Sequence, residues 1–277
     1  MRDDTPYLDR SNVAAVIPAL NEALRIRGVV EGALLHCDHV IVIDDGSDDD
    51  TLERIADLPV TVLRHEQRKG KGASLRDGFS AALRHGSKAV LTMDGDGQHA
   101  ADDIPRLIDA ANRYPNHIVI GARLRKRSQQ PMYRRLANEF GDWGIAWATG
   151  FQIADCQSGQ RLYPAAVAAL QDVPGEDFVF EAQIIISAAR ELGTRCVSVP
   201  IESRYKSVHS DEEFRASHFK PVRDFSRITR HIVHQALRSD SILATYRNIR
   251  ANPPLIHDPS GEFAPALQPA TTRGLSP

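Results

Sequence analysis

The chain has 277 residues, with 34 Lys and Arg against 36 Asp and Glu, for a formal net charge of −2. That length can bury a sizeable core, and 42% hydrophobic with 25% charged residues excludes wholesale disorder. Near-neutrality gives no global reason to expect nucleic-acid binding.

Apolar runs at 13–17, 40–43, 60–63, 89–93 and 117–120 read as short strands. Helix-compatible stretches at 21–36, 47–57, 69–85, 102–114 and 134–150 alternate with them. A loop is expected at 155–161, a helix over 178–192, a strand at 196–201 and an amphipathic helix over 219–248 with Phe225, Ile228, Ile232 and Val233 on one face. Residues 251–277, rich in proline and poor in apolar side chains, read as a disordered tail. Strands alternating with helices predict an α/β fold whose mostly parallel central sheet is flanked by helices, with a Rossmann-like nucleotide-binding half. In such sheets ligands bind beyond the carboxyl ends of the strands. Polar clusters fall there at 18–22, at Asp44 and Asp45, at 94–99 and at 121–123.

The three cysteines, Cys37, Cys156 and Cys196, include no CxxC pair, which argues against a disulfide scaffold and fits a reducing cytosol. No run reaches the ~20 apolar residues of a membrane span, and the N-terminus has acids where a signal peptide needs an apolar run. A cytoplasmic location is the expectation.

Asp94-Gly95-Asp96-Gly97-Gln98 is the most informative stretch. Two carboxylates at i and i+2, joined by the Gln98 amide oxygen, can converge on a hard cation such as Mg²⁺ or Mn²⁺; an ordinary Asp/Gly turn is the competing reading. At Asp44-Asp45-Gly46-Ser47, one acid can accept hydrogen bonds from a base or ribose, while Ser47 or the acids at 48–50 cap a following helix. Arg68-Lys69-Gly70-Lys71-Gly72 lacks the spacing of a phosphate loop. Arg123, Arg125, Lys126 and Arg127 form a basic run that is either a solvated loop or a phosphate clamp. Ser158 lies in no nucleophile elbow, and Glu176, Asp177 and Glu181 are acids at a helix start.

Together these clusters resemble the inverting family 2 glycosyltransferases, and among them the dolichol-phosphate and polyprenyl-phosphate sugar synthases. The resemblance runs over 14–227 through the segments at 17–22, 42–47, 69–72, 94–99, 121–123, 157–163 and 199–201. It implies a GT-A type domain over 12–248 that moves a hexose from a nucleotide-sugar to a lipid-linked acceptor, a polyprenyl phosphate first of all. A hydroxyl acceptor on a lipid or saccharide, and a non-catalytic nucleotide-sugar-binding subunit, are the alternatives. By the same resemblance Pro18, Leu20, Glu22, Ile43 and Asp45 hold base and ribose. Asp94, Gly95 and Asp96 meet nucleotide and metal, Gln98 completes the metal set, and Arg123 and Arg204 contact phosphate. Ser158, Arg161 and Lys206 fall on the acceptor side, and Asp177 is the base candidate should the acceptor be a hydroxyl.

This sequence departs from the family at Gln160, where Phe is usual, and at Gln183, where Glu is frequent. Residues 219–250 hold seven Lys and Arg against two Asp. A basic amphipathic helix there either lies peripherally on an anionic membrane or packs on the core.

Overall fold

The computed structural model describes residues 6–125, 132–170, 173–175, 178–202 and 241–262. In chain order the elements are β1 (Val13–Ala19), α1 (Ile26–Leu34), β2 (His39–Asp44), β3 (Thr61–Arg64), α2 (Lys71–Arg84), β4 (Ala89–Thr92), α3 (Ile104–Arg113) and β5 (Ile118–Arg125). They continue with α4 (Met132–Thr149), β6 (Arg161–Pro164), α5 (Ala165–Ala168), α6 (Phe178–Leu192), β7 (Cys196–Glu202), α7 (Ile242–Ala251) and β8 (Leu255–Ile256). The strands form one sheet in the order β3-β2-β1-β4-β6-β5-β7-β8. β6 runs antiparallel to β4 and β5, and the other pairings are parallel.

The strands β1, β2, β4, β5 and β7 are mostly buried on both faces because they are apolar on both, whereas β3 at the edge is largely exposed. Val13, Ala15 and Ile17 of β1 pack with Ile26, Val30, Leu107 and Ala110, the inward residues of α1 and α3. Ala14 and Val16 face the opposite core, built with Leu75, Phe79, Ile145, Phe180 and Ile184 from α2, α4 and α6. The α1 residues Ile26, Val29, Val30 and Ala33 recur at helical spacing, which makes that helix amphipathic. Pro105 near the start of α3 occupies a position where a missing N–H costs nothing.

Three differences from the sequence reading have local causes. No α-helix follows Ser47. The Ser47 N–H donates to Asp44 Oδ1 and its hydroxyl accepts from the Asn21 N–H, so the segment ends in one 3₁₀ turn at Glu53–Ile55. β6 was not anticipated, being four residues long after an irregular loop. The tail reading also fails at its start, since Leu255 and Ile256 pair with Val197 and Ser198 of β7 and His257 Nε2 lies 2.9 Å from Asp109 Oδ2. Of the helix expected over 219–248, only the part from 241 lies within the described residues. Among those residues no helix is long and apolar enough to cross a membrane.

Candidate active site

The parallel strands β1, β2 and β4 all end at one edge, and β6, running the other way, begins there: Arg161 pairs with Thr92 and with Ile120. The reversed strand thereby returns the loop before it to the edge where Asp94 and Asp96 emerge. At this edge the segment after β1 is laced to the segment after β2. The Glu22 N–H donates to Thr51 Oγ1, the Asp48 N–H to Asn21 Oδ1, and Asn21 adopts φ +56°. Pro18, Leu20 and Glu22 are thus presented, half-buried, by a fixed loop.

Asp45 and Ile43 lie deeper than Pro18, Leu20 and Glu22. Ile43 is fully buried in the core under α2, so its side chain does not face a base. The Asp45 carboxylate accepts the Lys69 N–H at 2.8 Å and the Gly70 N–H at 2.9 Å, with His65 Nδ1 at 2.7 Å. His65 is itself flanked on its other nitrogen by Asp77. Asp45 therefore organises the turn into α2, where Gly70 takes φ +91°. That turn places Lys71, a residue the sequence reading passed over, with its Nζ 2.7 Å from Asp94 Oδ1 and 3.1 Å from Glu181 Oε2. Burial opposes the Lys71 charge, but the two carboxylates outweigh it and hold the ammonium above the ordinary lysine range.

The edge is rich in acid. Burial would raise Asp94, yet Lys71 and His99 hold it below the usual carboxylate range. Asp96 is pushed up by burial and by Asp94, and its Oδ1 accepts the Gln98 N–H at 3.0 Å. Glu22 rises to about 7 through burial and the neighbouring Asp96. His99 is pushed down to about 4 by burial and stays neutral at neutral pH. Among the described residues no group of three or more His, Cys, Asp or Glu is placed to hold a metal ion. One or two carboxylates from Asp94 and Asp96, with Gln98 beside them, nevertheless fit a hard cation that completes its shell with water and phosphate oxygens.

Two expected outcomes follow from this charge balance and packing. The folded state keeps Glu22 protonated up to about pH 7 while the unfolded chain has already ionised, so it binds more protons and stability falls as pH rises through that window. Melting temperatures from pH 4 to 8 should show this decline, and Glu22→Gln should flatten it. Gly159 packs directly on Asp94: a Cβ there would overlap Oδ2 and stand 2.9 Å from the carboxyl carbon. Gly159→Ala should displace Asp94 and lower kcat/KM by about 100-fold, the scale set by an ångström of misplacement. Unchanged kinetics would show that the carboxylate can move without cost.

Arg123 lies at the edge but in a bidentate pair. Its Nε and Nη2 donate to the two oxygens of Asp155 at 2.7 and 2.6 Å, and its backbone N–H donates to the same carboxylate. Asp155, at φ +57°, is in turn held by Asp142, which accepts the N–H groups of Asp155 and Cys156. Burial raises the Asp142 carboxyl to about 6.

Of the acceptor-side residues, Arg161 and Ser158 are buried. Arg161 is 1% exposed and gives its N–H groups to the carbonyls of Ser158, Cys156 and Glu181 and to the Tyr163 hydroxyl, so it braces the core. Ser158 is fully buried, and its hydroxyl has no partner among the described residues. Gln160, at the position where Phe was usual, is buried and donates to the Ala100 carbonyl, tying the β6 entrance to the acidic loop. Asp177, Arg204 and Lys206 lie outside the described residues. Lys71, Glu181, Asp155 and Asp142 were missed as site builders; the Gly-Lys-Gly segment was the one local signal for any of them.

A mostly parallel sheet with one reversed strand, gathering paired carboxylates and a half-buried lysine at its carboxyl edge, defines an α/β enzyme of the GT-A fold. The sequence profile described as Glycosyl transferase family 2 matches residues 14–165. The chain belongs to that family, and it is a family 2 glycosyltransferase. It is 31% identical over 170 residues to the UDP-N-acetylglucosamine–dolichyl-phosphate N-acetylglucosaminyltransferase of Methanococcus voltae, covering 53% of this chain and 67% of that one. It is 30% identical over 203 residues to the undecaprenyl-phosphate mannosyltransferase of Micrococcus luteus, covering 68% of this chain and 82% of that one. Among solved structures, glucosyl-3-phosphoglycerate synthase of Mycobacterium tuberculosis, in complex with Mn²⁺, UDP and its product, shares the fold at a TM-score of 0.56 and 20% identity over 82% of this chain and 78% of that one.

Proposed function

We propose that the protein transfers a hexose from a nucleotide-sugar to a polyprenyl phosphate with inversion at the anomeric carbon. The observation that carries this reading is the gathering of Glu22, Asp94 and Asp96 at the carboxyl edge, with Lys71 Nζ 2.7 Å from Asp94; burial first, and the neighbouring acids second, raise Glu22 and Asp96. The names of the relatives, which act on dolichyl and undecaprenyl phosphates, supply the acceptor class.

In this reading Pro18, Leu20 and Glu22 flank the nucleoside, with Asp94 and Gly95 beside its ribose and phosphates. Asp94, Asp96 and Gln98 would hold Mg²⁺ or Mn²⁺, which would supply positive charge to the departing diphosphate. Lys71 stays protonated beside Asp94 and adds a second positive charge on that side. Asp155 holds Arg123 in one orientation at the same edge, so that the guanidinium needs no reorganisation when the donor arrives. A phosphate acceptor is already ionised at neutral pH, so its oxygen attacks without a general base.

The test is transfer of labelled sugar from UDP-, GDP- and dTDP-sugars to undecaprenyl phosphate, read as label extracted into organic solvent. Label in the organic phase with one donor and Mn²⁺ is the expected result. Label transferred only to a water-soluble hydroxyl acceptor would overturn the lipid-phosphate reading.

A further inference from the structure

The chain has two tryptophans, and both lie on one face of one helix. Phe140, Trp143 and Trp147 of α4 are spaced three and four residues apart. Their rings contact in sequence, with centroids 5.7 Å apart for Phe140 and Trp143 and 6.0 Å for Trp143 and Trp147. Trp143 is 52% exposed, an expensive position for the largest apolar side chain. α7 packs against the end of the same helix. The Gln152 side chain donates to the Ile249 carbonyl, and the Gln152 N–H donates to the Asn252 carbonyl. No residue of α7 is buried, and Ile242, Leu243 and Tyr246 are 72%, 70% and 48% exposed. A ten-residue helix has little stability of its own in water, so an apolar face left open along it marks a surface that meets something else.

The chemistry of that face selects the partner. α7 carries Arg247 and Arg250 and no acid. Tryptophan and tyrosine with aliphatic side chains among arginines is the composition of a surface that settles at the headgroup level of an anionic bilayer. Its place in the fold agrees. Trp143 follows Asp142, which fixes the loop of Asp155 and through it Arg123, so α4 links this face to the acidic edge.

We infer that the aromatic face of α4, together with Ile242, Leu243 and Tyr246 of α7, docks the protein on an anionic lipid surface and brings the acidic edge to acceptors held there. This inference rests on the lipid-phosphate reading of the site, and it is tested without turnover.

Because the only tryptophans are on the proposed contact, the emission of the full chain reports it directly. Titration with mixed phosphatidylglycerol–phosphatidylcholine vesicles should shift the emission to the blue, and brominated lipid should quench it. Vesicles of phosphatidylcholine alone should do neither. In co-sedimentation, Trp143→Ser with Leu243→Ser should weaken partitioning at least about tenfold, the worth of one large apolar side chain. Arg247→Glu with Arg250→Glu should remove its salt sensitivity. Circular dichroism checks that each variant folds, and the wild-type titration stands alone should one not. No emission change with anionic vesicles overturns the inference, as does an equal response to neutral ones. A concentration-dependent blue shift without vesicles would assign the face to a second copy of the chain and overturn it too. A donor-induced thermal shift that persists while vesicle binding fails separates this failure from failure of the transferase reading.

Discussion

Replacing Arg161 with alanine should cost about 4 kcal/mol of stability and lower the melting temperature by about 10 °C. The guanidinium serves the carbonyls of Ser158, Cys156 and Glu181 at 2.6 to 2.7 Å, in a place where water does not reach. Alanine leaves those carbonyls without their donor, each at a cost of about 1–3 kcal/mol, and empties the volume the side chain filled. Set against the ~5–15 kcal/mol that holds a typical domain together, the loss is large. Lysine should rescue little, because one ammonium cannot span three carbonyls as the planar fork does. Thermal melts of Arg161→Ala and Arg161→Lys decide the matter. Native stability combined with lost transfer would return Arg161 to the acceptor side, where the family resemblance had put it.

Asp96→Ala should do the reverse, removing function while sparing the fold. With Asp94 beside it, Asp96 is an acid whose ionised form is disfavoured by burial and by like charge. Removing it relieves that repulsion, so without metal the variant should melt at or above the wild-type temperature, the familiar exchange between a strained site and stability. Metal-dependent stabilisation by a nucleotide-sugar, worth a few kcal/mol at saturating ligand, should vanish. Transfer should fall on the order of 100- to 1000-fold, as when charge stabilisation of a leaving group is lost. Thermal shifts with each donor, with and without Mn²⁺, read both effects. An equal shift in wild type and variant would remove Asp96 from the donor site.

The parallel half of the fold could be read from the chain because β1, β2, β4 and β5 are each built on an apolar run with a polar cluster at its end. That pattern alone puts Asp94, Asp96 and Glu22 at one edge. What stayed hidden depends on distant partners. Arg123 and Asp155 are 32 residues apart and meet because β6 reverses, a strand too short to announce itself. Asp45 reads in the sequence as a contact to base and ribose, and nothing local shows that its oxygens accept N–H groups more than twenty residues away. Lys71 read as a failed phosphate loop, since nothing local says that a lysine at the start of α2 reaches both Asp94 and the first turn of α6. Pattern reveals which residues reach an edge, whereas pairing at that edge is tertiary.

The two-residue strand β8 carries a consequence for solubility. β7 is seven residues long and, apart from its last residue, buried, with Val197 and Val199 wholly so. On its outer side it pairs with nothing but Leu255 and Ile256 among the described residues. Those two residues, clasped by His257 against Asp109, act as a cover over backbone groups that would otherwise template association with another chain. A chain shortened to end before Leu255 would keep every residue of the acidic edge and still present a long, apolar, unpaired strand to its neighbours. Self-association, rather than loss of the donor site, would then limit how far the C-terminus can be trimmed.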